Sequence, residues 1–324
     1  MREAGPTSRP RERGPIRFKS GATLALQKGE ISMERIVLGY DGSPAAISAL
    51  SWTAERSTRG MTKVDVVLVA SPSAQDRTPG VERLAEAEAA LRDRVPGLEV
   101  ELHRLDGAVT TSLAEAAEGA DLVVIGIHTG HPIRAAANGW TPLRLSLRVQ
   151  TPVCIVPAGW TEGGDPVTVG IADDDSSNAA LAFGIAEAGT TGTGLRLVHA
   201  WLMPSPTFDY GTALAVDPEL VIGEHRRTLD DAARHVARQH PTLPVAKELI
   251  RDSRSAALLR FASRSSLLLI GTHRRGMLAG TLLGSVAQEV LWRADCPVCV
   301  VPALHPESVE PDRTPSAASA DHSG

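Results

Sequence analysis

The sequence repeats itself, and the repeat limits the fold more than any other feature. Ile125-Gly126-Ile127-His128 returns as Ile270-Gly271-Thr272-His273. Pro152-Val153-Cys154-Ile155-Val156-Pro157 returns as Pro297-Val298-Cys299-Val300-Val301-Pro302, and both pairs are offset by 145 residues. Nearer the start, Leu38-Gly39-Tyr40 matches Val169-Gly170-Ile171 and Ala49-Leu50 matches Ala180-Leu181, at an offset of 131. A period this long is that of a duplicated domain, because solenoid units run to roughly 20–50 residues. The additional 14 residues fall between the two sets of blocks, most naturally at 201–220. The chain therefore divides into a domain at 34–158, a glycine-rich polar linker at 159–165 and a second domain at 166–303.

Each half alternates short apolar, β-branched runs with amphipathic stretches of helical length. The runs are 36–40, 64–70, 98–104, 121–126 and 152–156, then 167–171, 195–200, 244–249, 266–271 and 297–301. Near-continuous apolar strands with helix-length spacers, such as 46–59 and 82–94, predict a parallel sheet covered on both faces. Five right-handed βα units per half give an α/β chain of two doubly wound five-stranded parallel-sheet domains, each in the order 3-2-1-4-5. Aromatic residues make up only 3%, so Val, Leu, Ile and Ala must fill the cores.

The rest of the composition mainly excludes. A net charge of −5 and a pI of about 6.1 lack the basic footprint of a general nucleic-acid binder. No apolar stretch approaches the ~18 residues that would span a membrane. Residues 1–33 read as an unstructured extension: positions 1–32 carry seven Arg or Lys against three Glu and have no apolar face, so either Met33 is the natural start or the extension is a basic arm that touches acidic surfaces. Residues 304–324 read as a disordered tail. Three cysteines make no disulfide framework and point to the reducing cytoplasm. Cys296 and Cys299 have thioredoxin-like spacing, but the apolar strand around Cys299 argues for a structural role.

In a doubly wound sheet, ligands bind beyond the carboxyl ends of the strands, where the strand order reverses. Asp41-Gly42-Ser43-Pro44 follows the first strand, and Gly271-Thr272-His273-Arg274-Arg275-Gly276 follows the fourth strand of the second half. Gly284-Ser285-Val286 then opens a helix that runs to about Arg293. A helix start offers free N–H groups and the positive end of the dipole to a phosphate, and a serine hydroxyl adds a donor.

The spacing Gly271, Arg274, Gly284-Ser285, followed by a helix and Cys296-Pro297-Val298, resembles the universal stress protein family. So do Val37-Leu38-Gly39-Tyr40-Asp41-Gly42-Ser43-Pro44 and Leu197-Val198-His199-Ala200-Trp201. The resemblance covers nearly everything but the tails. It implies an adenine-nucleotide alpha-hydrolase-like fold and a tandem, cytoplasmic stress-response protein that binds and signals rather than turning over a substrate. In ATP-binding members, the carboxylate after the first strand and the backbone after the second hold the nucleoside, while the glycine loop and Gly-Ser hold the phosphates. Carried over, the ATP candidates are Gly271, Gly284, Ser285, Val286, Arg274, Ala200 and Asp173 in the second half, and Asp41, Gly126 and Gly139 in the first.

Both halves depart from that pattern. The first has Thr129 at its second loop glycine and closes on Gly139-Trp140, so the serine is missing. The second has Arg274 at the loop glycine and Ala172 at the carboxylate position, with Asp173 one residue later. ATP is therefore expected mainly in the second half. Asp173, Asp174 and Asp175 would repel a phosphate unless a divalent ion such as Mg²⁺ bridged them; as a group they read as helix caps. His128, His273 and His199 read as pocket-lining loop histidines. No Walker pattern, nucleophile elbow, His-Glu-x-x-His motif or zinc spacing occurs. A nucleotide-free scaffold acting through dimerisation and partner binding is the alternative. The resemblance also implies that the last strands, 152–156 and 297–301, pair about a pseudo-two-fold axis. Cys154 and Cys299 would then face each other, within an internal pseudo-dimer that can also homodimerise.

Overall fold

The computed structural model of the chain describes residues 33–70, 78–128, 141–203, 207–209, 212–214, 217–272 and 284–303. The first half runs β1 (Glu34–Gly39), α1 (Pro44–Ser57), β2 (Thr62–Ala70), α2 (Thr78–Arg94), β3 (Glu99–Asp106), α3 (Val109–Ala116), β4 (Leu122–Ile127), α4 (Thr141–Arg148) and β5 (Val153–Pro157). The second half opens with β6 (Val167–Ile171), α5 (Asn178–Thr191) and β7 (Leu195–Trp201). An antiparallel hairpin, β8 (Thr207–Asp209) and β9 (Thr212–Leu214), follows in the segment where the sequence places its additional residues. Then come α6 (Pro218–Gln239), β10 (Val245–Arg251), α7 (Arg254–Ala262), β11 (Leu267–Thr272), α8 (Ser285–Arg293) and β12 (Val298–Pro302).

Ten strands form one continuous sheet in the order β10-β7-β6-β11-β12-β5-β4-β1-β2-β3. Neighbours within a half are parallel, and the only antiparallel junction in this sheet is β5 against β12. There Cys154 lies opposite Cys299, flanked by Ile155 opposite Val298 and Val153 opposite Val300. The edge that each half would leave exposed alone is thus covered by the other, and equivalent residues face each other across the seam.

Alternation along the strands builds two cores, one on each face of the sheet. Ile36, Leu38, Val64, Val66, Cys154, Leu267, Leu269 and Cys299 fill one face, which carries α1, α2, α5 and α6. Val37, Val67, Val123, Ile155, Leu268 and Ile270 fill the other, which carries α3, α4, α7 and α8. Cys296 belongs to the second core and Cys299 to the first, so the two thiols sit on opposite faces of the sheet. Burial pushes all three thiols up, Cys296 to about 12.

An ion network closes the seam. Arg56 of α1 lies 2.6 Å from Glu187 of α5 and 2.8 Å from Glu34, with its guanidinium beside the rings of Trp52 and Phe183. Arg56 and Glu187 are repeat-equivalent, as are Trp52 and Phe183, each pair 131 residues apart. Burial disfavours the Arg56 charge, but the two carboxylates outweigh it and raise the guanidinium pKa.

Candidate functional site

In the first half the switch point is a cleft of about 760 Å³ beyond the ends of β1 and β4. Tyr40, Asp41, Val67, Val69, Gly126 and His128 line it, with Leu291 and Trp292 reaching in from α8 of the other half. The entry to α1 is tightly organised. The Asp41 carboxylate accepts from the Ser43 N–H at 2.9 Å, and the Ser43 hydroxyl accepts from the Ala46 N–H at 3.2 Å ahead of Pro44 at the first helical turn. Ser43 is therefore the helix cap, and Asp41 forms the turn leading to it. Gly42 takes φ +79°, and a Cβ there would point at Arg83 of α2.

Gly126 and Gly271, expected in the phosphate loops, show a packing reason for being glycine. A Cβ on Gly126 would lie 2.2 Å from the Ala45 backbone, and one on Gly271 would lie 1.9 Å from the Ser176 carbonyl oxygen. Strand four of each half runs against the start of its first helix, and only a hydrogen fits between them. Gly284 differs. It is exposed, caps α8 with φ −52° and ψ 149°, and no described atom lies within 4 Å of a Cβ placed on it. Ser285 is exposed as the first residue of α8, and Val286 packs partly on the core. Ala200 lies on the same sheet face as Val198, at the position equivalent to cleft-lining Val69. Arg274, His273, Gly139 and Trp140 lie outside the described residues.

The three consecutive acids of the second half part company. Asp174 caps the short turn at 175–177 by accepting from the Ser176 N–H at 2.9 Å, and Asp175 accepts from the Asn178 side chain at 3.3 Å. Asp173 points elsewhere. Its Oδ1 lies 3.3 Å from His199 Nε2 and 3.2 Å from His225 Nδ1, and its Oδ2 accepts from Arg254 at 3.2 Å. His199 comes from β7 and is fully buried; its Nδ1 is 2.8 Å from the Ile171 carbonyl oxygen and its Nε2 is 2.8 Å from His225 Nδ1. His225, on α6, stacks on Trp201, over which Arg251 sits. The His199 hydrogen bond holds the Asp173 carboxyl down to about 2, with help from the His225 and Arg254 charges.

The sequence missed this cluster. His199 sits on the α5–α6 face of the sheet, the face opposite Ala200. His225 lies in a polar helix with nothing local to single it out. The signal was His199 itself, which the sequence reads as a pocket-lining loop histidine; it is instead buried within β7, among mostly apolar residues.

The profile of the universal stress protein family matches residues 33–157 and again 165–302. A universal stress protein of Mycobacterium tuberculosis, Rv2005c, is 27% identical over 292 residues, covering 82% of this chain and 96% of its own length. A solved universal stress protein from Archaeoglobus fulgidus superposes with a TM-score of 0.61 at 16% identity, over 83% of this chain and 96% of that one. A Pseudomonas aeruginosa protein described as functionally unknown, PA1789, gives 0.59 at 16% identity, over 83% and 92%. Two matches in series, over a sheet joined at equivalent last strands, place this chain in the universal stress protein family as a tandem member.

Proposed function

We propose that the chain is an adenine-nucleotide-binding protein of stress response or signalling in the cytoplasm, acting by binding and not by turnover. Each half serves as a doubly wound domain, order 3-2-1-4-5, with its ligand position at the switch point. The observation that carries the reading is the first-half cleft, whose volume of about 760 Å³ falls within the few hundred to ~1,000 Å³ of small-molecule sites. Val67 and Val69 offer apolar wall to a base, and Asp41 sits at the rim where a ribose hydroxyl could be accepted. ATP bound there would supply a triphosphate whose charge suits helix N-terminal N–H groups.

Two features support different halves for the nucleotide. Gly284-Ser285 favours the second, as the sequence expects, because both residues are exposed at the start of α8 and Ser285 carries a hydroxyl. The cleft favours the first, and in the second half the Asp173 carboxylate is engaged by two histidines and Arg254. Calorimetric titration of the full chain with ATP separates these. Saturable binding weakened at least about tenfold by Asp41→Ala supports the first half. Loss with Ser285→Ala or Gly284→Trp, and none with Asp41→Ala, moves the site to the second. No binding in the wild type leaves the scaffold reading, and steady phosphate release well above background refutes the absence of turnover. Among the described residues no helix is long and apolar enough to cross a membrane.

A further inference from the structure

We propose that Asp173, His199 and His225 form a binding site for one divalent transition-metal ion, with zinc the best fit. The site is separate from the nucleotide position and does not depend on it. His199 Nε2, His225 Nδ1 and Asp173 Oδ1 form a triangle with edges of 2.8, 3.2 and 3.3 Å. Ligands ~2.0–2.1 Å from a tetrahedral zinc stand about 3.3 Å apart, so two edges already match and the third need open by only about half an ångström.

The chemistry of the three atoms agrees with the geometry. The Ile171 carbonyl 2.8 Å from His199 Nδ1 can only accept, so Nδ1 carries a hydrogen, and an ion would displace the Nε2 proton that otherwise bonds Asp173 and take up that lone pair. Carbonyl contacts of this kind orient histidines that ligate metals. Arg254 holds Oδ2, which leaves Oδ1 as the single carboxylate ligand. Trp201 stacks on the His225 ring and limits its rotation. Three potential ligand atoms thus converge, held either by imidazole protons or by a cation that replaces them. Two imidazoles and a carboxylate suit a borderline divalent ion, while Mg²⁺ and Ca²⁺ prefer all-oxygen sets. Asp173 and His225 are partly exposed, which leaves a route in and room for a water as fourth ligand.

The three ligands come from the loop after β6, from β7 and from α6, so a bound ion would pin α6 to the sheet. The second described cluster of this kind, Asp65, Glu101 and His103, is a poorer candidate: the His103 contacts are 3.7 and 3.8 Å, and Arg35 and Lys63 already supply cations there.

The test uses the full chain stripped with EDTA and titrated with zinc chloride in the absence of nucleotide. One ion per chain is expected at micromolar affinity or tighter, with a rise in Tm on the order of 5 °C at saturation. Asp173→Asn and His225→Gln should each weaken binding at least about tenfold, while His103→Gln leaves it unchanged. Cobalt in place of zinc should give the visible bands of a tetrahedral nitrogen and oxygen site, with no thiolate charge-transfer band. If a variant unfolds, that wild-type cobalt spectrum decides. No zinc binding by the wild type, equal binding by both variants, or a thiolate band overturns the proposal. Loss of ATP binding alone leaves it untouched.

Discussion

The two halves share a scaffold and differ where the first strand ends. In the first half the carboxylate is Asp41, on the rim of an open cleft, and the next residue is Gly42, with Arg83 of α2 above it. In the second half position 172 is alanine and the carboxylate has moved to Asp173, the counterpart of Gly42, where it meets His225 of α6 in place of Arg83. Shifting the acid by one residue takes it from the cleft rim to the histidines of β7 and α6. Duplication thus kept the order of strands and helices and let one copy place its acid against two histidines.

The seam shows the same divergence with a structural purpose. A homodimer pairing through equivalent faces would set Arg56 against Arg56, or Glu187 against Glu187. Within one chain the equivalent positions carry opposite charges, which favours joining unlike halves. The largest expected effect follows. Arg56→Ala leaves Glu187 buried without its partner and should cost about 3–5 kcal/mol in denaturant unfolding. Exchanging both residues, Arg56→Glu with Glu187→Arg, should recover part of that loss; no recovery would mean that the position of each charge matters more than their complementarity.

Next in size is a test of the shared scaffold. Gly126→Ala and Gly271→Ala both push a methyl into helix-start backbone, at 2.2 and 1.9 Å, and each should destabilise by about 3 kcal/mol or more. Similar losses in the two halves confirm one architecture. A tolerated Gly271→Ala would show that the second half can open at its switch point.

The cysteines test the seam more gently. At pH 8 native protein should react slowly with an aromatic disulfide reagent at all three thiols, because burial keeps the thiolates unpopulated, and unfolding should release all three. Fast labelling of Cys154 or Cys299 would mean that β5 and β12 separate in solution. The smallest effect concerns the N-terminal extension. A chain beginning at Met33 should melt within a degree or two of the full one, since a segment without an apolar face contributes less than ~0.5 kcal/mol. A clear drop would show the extension docking on one half.

The sequence by itself determined the duplication, the alternation of strands and helices, and the place of the added hairpin, because these rest on local apolar periodicity and on identity at a fixed offset. It also marked Gly126 and Gly271 as special, while assigning them to a phosphate loop; their close contact with Ala45 and Ser176 involves backbone distant in sequence. Opposition of Cys154 and Cys299 followed from two-fold symmetry once the resemblance indicated which edge pairs. Only the tertiary structure decided that Arg56 would find Glu187, and that residues 173, 199 and 225 would converge. Those contacts join a loop, a strand and a helix, with one ligand every 26 residues, and no local pattern encodes them. Packing of a helix onto a sheet sets which side chains meet, and that packing exists only when the whole core has formed.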